Sequence, residues 1–145
     1  METLALANAR GGRSLSGMHH SQPRPITGMD AISRLFAPLA HSRNEMAAVA
    51  YLDRSHRLIG MRHVTGGRHW LPLSIRDIAA DSLAFDAHAA MLAHNHPSGD
   101  PKPSSWDLTF TRRLVRALEG LGVVLLDHIV LGADSQTSLR ATGYL

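Results

Sequence analysis

The sequence predicts a single domain of the α/β (mixed α+β) class, in which helices flank a central mixed β-sheet. A chain of 145 residues with 44% apolar and 19% charged residues has the composition of one globular domain. Short apolar runs typical of strands alternate, after about residue 70, with segments that show the periodicity of helices. Strands and helices that alternate in this way favour a sheet covered by helices.

The first 27 residues have no sustained hydrophobic period, and their glycines and prolines predict a mobile arm. Regular structure is expected from Asp30 onward. An apolar stripe at helical spacing then predicts a short helix, and its members are Ile32, Leu35, Phe36 and Leu39. We therefore place the folded domain at residues 28–145.

Two strand-type runs follow, at Met46–Leu52 and Leu58–Val64, and the four polar residues 53–56 between them predict a hairpin. Ser74, three residues before Asp77, predicts the capped start of a second helix. That helix carries Ile75, Ile78, Ala79, Ser82 and Leu83.

The C-terminal half predicts a helix between two strands. Residues 89–96 form a buried-strand candidate, and the turn-forming cluster 97–101 follows it. The next helix is predicted from about Ser104 to Glu119, and glycines at positions 120 and 122 end it. A clear strand pattern covers Val123–Leu131.

The net charge of +3 is concentrated near the start of the chain. Residues 1–43 hold five arginines and two acidic residues, whereas basic and acidic residues are equal in number from 44 to 145. A nucleic-acid-binding domain carries basic charge on its fold, so this distribution argues against strong nucleic-acid binding. No apolar run approaches the ~20 residues that span a bilayer, and the first nine residues lack the pattern of a secretory signal. We therefore expect a cytoplasmic protein.

The histidines point to a metal site. The chain has no cysteine, so any transition-metal site must use imidazole and carboxylate ligands. His94 and His96 lie two residues apart at the end of a predicted strand, and therefore on one face of it. Asp107, in the first turn of the next helix, supplies a third ligand, and a catalytic zinc typically has three protein ligands and a water. Asp107 is also placed to complete a capping box opened by Ser104, and the two roles are compatible.

The spacing of these four residues resembles the signature of the JAB/MPN (JAMM) metallopeptidases: His94-x-His96, seven residues, Ser104, two residues and Asp107. Segment 94–101 is most similar to the RadC-like branch of that family. Leu126–Ile129 and the Tyr51–Asp53 region with the preceding Glu45 resemble two further blocks of the same branch. The resemblance covers residues 28–145 and implies a JAB/MPN-like fold.

The resemblance implies that His94, His96 and Asp107 bind one Zn²⁺ per chain, with a water as the fourth ligand. It implies that Ser104 donates a hydrogen bond to the activated water or to the developing oxyanion.

The implied general base is a glutamate, and Glu45 stands where the family has it. The chain has two other glutamates. Glu2 lies in the arm, and Glu119 is roughly 18 Å along the helix from Asp107. No other cofactor is implied.

These roles imply zinc-dependent hydrolysis of amide or isopeptide bonds in a protein or peptide-like substrate. The alternative is a DNA-repair-associated or scaffolding RadC-like module with weak nucleic-acid binding. The even charge of residues 44–145 and the lack of room for a helix-hairpin-helix module argue against DNA binding. Scaffold members of the superfamily have typically lost metal ligands that this chain retains.

Several polar and aromatic residues are harder to assign. Asp127 and His128 are adjacent in a strand and so point to opposite faces, which favours a polar strand end near the site over a second catalytic pair. Trp70 is expected in the core or in a groove wall, and Trp106 either beside the metal or along a substrate groove. The remaining histidines of the domain are expected at the surface or in hydrogen bonds, and they are His41, His56, His63, His69 and His88.

Overall fold

The structure is a computed structural model that describes residues 23–145 and the backbone of Thr3–Leu4. Most of the arm predicted at residues 1–27 lies outside the described residues, so its mobility stays a prediction. Two parts of it do contact the domain. Thr3–Leu4 pairs with the second strand of the hairpin, and the Ile26 N–H donates to the His56 carbonyl at 2.8 Å.

Three α-helices and a short 3-10 helix are present in the described part of the chain. The helices are α1 (Gly28–Phe36), α2 (Ile75–Ala84) and α3 (Ser105–Glu119), and the 3-10 helix is Ala37–Leu39. The strands are β1 (Thr3–Leu4), β2 (Met46–Leu52), β3 (Leu58–Thr65), β4 (Ala89–Asn95), β5 (Val124–Leu131) and β6 (Gln136–Ser138). The stripe predicted as one short helix is divided between α1 and the 3-10 helix, because Pro38 has no N–H to continue the α-helical pattern.

The strands form one mixed sheet in the order β1-β3-β2-β4-β5-β6. The pair β4 and β5 is parallel and all other neighbours are antiparallel. The predicted β2–β3 hairpin is confirmed, and Asp53 stabilises its turn by accepting hydrogen bonds from the Ser55 and Arg57 N–H groups at 2.8 and 2.9 Å. The short strand β6 was not predicted from the sequence.

Helices cover both faces of the sheet, which confirms the predicted fold class. Alternate residues of β2 and β4 are buried in two clusters on opposite faces. The cluster that contains Val49 and Leu92 packs against α2 and α3, whereas the cluster that contains Ala50 and Met91 packs against α1 and the 3-10 helix. Because these strands are buried on both faces, they read as continuous apolar runs in the sequence.

A partly buried ion pair joins α2 to the hairpin. The Arg62 guanidinium donates to both carboxylate oxygens of Asp81, at 2.6 and 2.9 Å, and the Tyr51 hydroxyl donates to the same carboxylate at 2.9 Å. Bidentate arginine–carboxylate pairs are strong and directional. This contact fixes the orientation of α2. The loop between β3 and α2 lies over the candidate site.

The β4–α3–β5 unit positions the candidate site. Parallel neighbours need a crossover connection, and α3 makes it, so its first turn lies beside the carboxyl end of β4. A bulge between Leu125 and Asp127 shifts the register of β5 against β4. Through this bulge Leu125 and His128 both face α3, although strict alternation would place them on opposite faces.

Candidate metal centre

The structure brings the three candidate ligands together at the end of β4. The Nε2 atoms of His94 and His96 lie 3.0 Å apart. One carboxylate oxygen of Asp107 is 3.3 Å from the His94 Nε2 atom, and the other is 3.2 Å from the His96 Nε2 atom. The three side chains are 6, 17 and 7% exposed for His94, His96 and Asp107, respectively. Two imidazole nitrogens and a carboxylate oxygen at this separation form a cluster that could hold a metal ion.

A chain of hydrogen bonds determines which nitrogen of His94 faces the cluster. The Thr111 hydroxyl must donate to the Asp107 carbonyl at 2.6 Å, because a carbonyl only accepts. The same hydroxyl therefore accepts from the His128 Nδ1–H at 2.6 Å. The His128 Nε2 atom then accepts from the His94 Nδ1–H at 2.7 Å. The Nε2 atom of neutral His94 is left with its lone pair directed at the cluster.

His96 is oriented in the same sense by a different partner. Its Nδ1–H donates to the Asp100 carbonyl at 2.9 Å. The Asp100 side chain accepts from the Lys102 N–H at 2.9 Å, which stabilises the turn after β4. The Nε2 atom of neutral His96 therefore also presents a lone pair. Two lone pairs and a carboxylate that face one point suit a cation, so the residues present fit a metal ion.

The electrostatics of the cluster support an ionised aspartate and a neutral His128. Burial alone would raise the pKa of Asp107. Without a cation, His94 and His96 can instead carry a hydrogen on Nε2 and donate it to the carboxylate, and these hydrogen bonds outweigh burial and hold that pKa well below its usual range. The hydrogen bond to Asp107 raises the pKa of His96, and burial opposes it. Burial, together with the neighbouring His94, lowers the pKa of His128 well below that of a free imidazole.

The predicted capping box is confirmed and shares its carboxylate with the cluster. The Ser104 Oγ atom accepts from the Asp107 N–H at 3.0 Å, and Asp107 Oδ2 accepts from the Ser104 N–H at 2.7 Å. The cap fixes the rotamer in which Asp107 faces the histidines. Ser104 lines the same pocket as the ligands, and its hydroxyl hydrogen is not used by the cap.

Glu45 lies in the segment before β2 and lines the pocket beside the two histidines. Its backbone pairs in both directions with the loop after β3: its N–H donates to the Gly67 carbonyl, and its carbonyl accepts from the Gly66 N–H, both at 2.8 Å. Its carboxylate is close enough to raise the pKa of His96. The backbone of Glu45 is thus held in place, with its side chain directed to the pocket.

Asn95, which was not predicted from the sequence to be part of the site, positions the Glu45 segment. Its carboxamide oxygen accepts from the Met46 N–H at 2.6 Å, and its amide nitrogen donates to the carbonyls of Ser42 and Asn44, both at 3.1 Å. Strand alternation turns Asn95 to the opposite face from His94, where the segment before β2 passes. A buried asparagine between two candidate ligands was the available signal.

The side chains of Asp127 and His128 point to opposite faces of β5, as predicted, and only that of His128 contacts the cluster. Asp127 accepts hydrogen bonds from the Ser138 hydroxyl and the Arg140 N–H, at 2.5 and 3.1 Å, and so stabilises the C-terminal turn. His128 is buried and forms the link between His94 and Thr111 described above. Thr111 carried no signal of its own in the sequence.

A pocket of about 460 Å³ opens over the cluster. Its polar end holds the three candidate ligands with Glu45 and Ser104, and its other lining is mainly apolar and aromatic. Trp70 and Trp106 both line it, so Trp70 lies in a groove wall. His69 lines the pocket as well, but within residues 23–145 it is not part of the ligand cluster.

Among the described residues, none of the helices combines the length and the hydropathy that a membrane span requires.

Comparisons with known proteins place this geometry in a family. The model of the RadC-like JAB domain matches residues 26–144. UPF0758 proteins of Ruegeria pomeroyi and Carboxydothermus hydrogenoformans are 39 and 40% identical over 126 and 113 residues, which are 86 and 77% of this chain. A UPF0758 protein of Rhodobacter capsulatus is 41% identical over 108 residues, which are 74% of this chain.

These alignments cover 56, 50 and 50% of the three relatives, so the chain spans about half the length of the curated relatives it matches. The names of the relatives assign no activity. The family match covers nearly all of residues 23–145, and it includes every residue of the cluster and of the pocket's polar end. The chain belongs to the RadC-like JAB domain family.

Proposed function

We propose that this protein is a zinc-dependent hydrolase of amide or isopeptide bonds, with one zinc ion per chain. The observation that carries the proposal is the convergence of two imidazole Nε2 atoms and one buried carboxylate at the polar end of an open pocket. Three protein ligands leave a coordination position for substrate or water, which is typical of hydrolytic rather than structural zinc sites.

The zinc ion would polarise the scissile carbonyl and lower the pKa of a water molecule. Glu45 takes the proton from the attacking water and delivers it to the leaving nitrogen. This role of Glu45 is supported by its position in the pocket beside both histidines and by the hydrogen bonds that fix its backbone. Ser104 donates its remaining hydroxyl hydrogen to the carbonyl oxygen as negative charge develops there. His128 and Thr111 hold the His94 ring so that its Nε2 atom would be available to bind the zinc ion.

The substrate class proposed is a protein or peptide-like chain. The resemblance to JAMM metallopeptidases supports an amide or isopeptide bond as the bond cleaved. The pocket is open, so an extended chain can reach the cluster.

The test begins with the metal content of protein purified from zinc-supplemented cells. About one zinc per chain is expected, as for a single catalytic site, and His94→Ala and Asp107→Ala should each lose it. His69→Ala is the matched control, since this exposed histidine lines the pocket without joining the cluster, and it should keep the metal.

The second step is a screen of peptide and isopeptide amides with Glu45→Gln as the blank. This variant should retain zinc and lose turnover, because its side chain can no longer accept the proton. Absence of zinc from the wild-type protein would contradict the proposal, and full turnover in Glu45→Gln would contradict the role of Glu45.

A further inference from the structure

The apolar part of the pocket is walled by the only two tryptophans of the chain. Trp70 is 61% exposed and Trp106 is 55% exposed. Indole rings that face solvent in the same pocket give it a mainly apolar and aromatic lining, as is typical of ligand-binding pockets. The remaining apolar lining of the pocket consists of Leu71, Leu73, Leu92 and Phe110.

Trp106 is fixed by its neighbours on α3. Its ring stacks on that of Phe110, with centroids 5.0 Å apart and planes at 18°. Phe110 is itself buried against the sheet. Because Trp106 directly precedes Asp107, this aromatic wall begins one residue from a candidate metal ligand.

Trp70 is held by the loop that also holds Glu45. The Gly67 N–H donates to the Trp70 carbonyl at 2.9 Å, and the Gly67 carbonyl accepts from the Glu45 N–H at 2.8 Å. A Cβ atom at Gly67 would lie 2.3 Å from the Trp70 Nε1 atom, so the indole packs closely against the Gly67 backbone. The two indoles are therefore positioned walls rather than incidental surface residues.

The charges divide the pocket into two ends. Its acidic residues, Glu45 and Asp107, belong to the polar end, and no lysine or arginine lines it in the described part of the chain. Arg43 and Arg68 line a separate, adjoining pocket that shares Glu45, His69 and His96. A charged substrate group would find no partner between the two tryptophans, whereas an apolar group would replace water there.

We propose that the aromatic part of this pocket is a subsite for a bulky apolar side chain next to the scissile amide, held between Trp70 and Trp106. The identification of the occupant as a substrate rests on the proposed hydrolase function. Tryptophan side chains could also stack on nucleic-acid bases, but such sites combine stacking with cations that track the phosphates. Arg43 and Arg68 line the adjoining pocket and not the part that holds the two tryptophans.

The test uses the tryptophans as reporters, since both lie in the subsite. Intrinsic tryptophan fluorescence of the Glu45→Gln protein is titrated with the blocked peptides Ac-Ala-Ala-X-Ala-Ala-NH₂. X is Leu, Phe, Ser or Glu. We expect the Leu and Phe peptides to bind at least about tenfold more tightly than the Ser and Glu peptides. Binding is read without turnover, so this result does not depend on hydrolysis.

The variants Trp70→Ala and Trp106→Ala should each lose most of this discrimination, and Trp106→Phe should retain much of it. The matched control is Leu83→Ala, which removes an equally exposed apolar side chain of α2 outside the pocket and should behave as wild type. Both indoles are exposed, so the variants are expected to fold, and melting curves verify this.

Equal affinity for all four peptides, no binding of any peptide, or discrimination that survives in both Trp→Ala variants would each overturn the subsite. Fluorescence quenching by an oligodeoxythymidylate that displaces the Leu peptide would also overturn it, in favour of base stacking.

Discrimination between the peptides without zinc binding would refute the proposed hydrolase and leave a peptide-binding groove. Zinc-dependent hydrolysis without discrimination would refute the subsite alone.

Discussion

At the scale of single residues, the orientation of His94 depends on side chains that make no contact with the candidate metal position. Thr111 and His128 form an ordered series of hydrogen bonds that ends at the His94 Nδ1 atom. The buried His128 stays neutral, as its lowered pKa indicates, and so it can accept the hydrogen of His94. Residues that orient metal-bound histidines in this way typically contribute to metal affinity, because their mutation lowers it.

Replacing Thr111 with valine should weaken zinc binding. The variant has nearly the same shape but can neither accept the His128 Nδ1–H nor donate to the Asp107 carbonyl. We expect zinc affinity to fall by roughly 10- to 100-fold, measured by competition with a chromophoric chelator. Thr109→Val, an exposed substitution on the same helix, is the control and should leave the affinity unchanged. Equal affinities in the two variants would show that the hydrogen-bond series is dispensable.

At the scale of elements, α3 links stability to chemistry because its N-terminal cap is also part of the candidate site. Ser104 and Asp107 complete the capping box, and Asp107 faces the two histidines. The helix α2 begins with a similar cap, in which the Ser74 side chain accepts from the Asp77 N–H at 3.4 Å. Ser74 does not line the pocket of the metal cluster, so the two caps separate a structural role from a catalytic one.

The variants Ser104→Ala and Ser74→Ala should therefore differ in activity more than in stability. Each loses a helix cap, which typically costs about 1 kcal/mol of the free energy of unfolding. Only Ser104→Ala should also lose roughly 100- to 1,000-fold in kcat, because a donor to the developing oxyanion is removed. Urea unfolding and steady-state kinetics on the same preparations measure both effects. Similar kcat values for the two variants would assign Ser104 a capping role only.

At the scale of the whole molecule, the candidate metal would join different elements of the fold. His94 and His96 belong to the end of β4 and Asp107 to α3, while Glu45 reaches the same pocket from the segment before β2. A ligand that binds the folded state alone stabilises it by mass action. The metal should thus stabilise the β4–α3 contact as well as supply chemistry.

Removing zinc should lower the melting temperature of the wild-type protein. At free zinc about 1,000 times the dissociation constant, the stabilisation amounts to about 4 kcal/mol. Calorimetry before and after dialysis against a chelator, and after zinc is restored, measures the effect. Asp107→Ala should melt at one temperature in all three conditions. An identical response of wild type and Asp107→Ala would place the stabilising zinc at another site.

The features of the fold that were easiest to predict were those with local sequence patterns. The apolar runs of β2 and β4, the helix caps at Ser74 and Ser104, and the hairpin turn all depend on residues within a few positions of each other. The bulge in β5 was not predicted, since one extra residue leaves no mark in a run of apolar side chains.

The sequence by itself determined the fold class, the caps and the spacing that puts His94, His96 and Asp107 near one point. These features follow from short-range periodicity and from the number of residues between the end of β4 and the start of α3, and both can be read from the sequence. Only the tertiary structure decided that His128 orients His94, 34 positions away, and that Asn95 holds Met46, 49 positions away. It also decided that both tryptophans face one pocket. Such contacts depend on how strands are ordered and registered in the sheet, and no local pattern encodes that order.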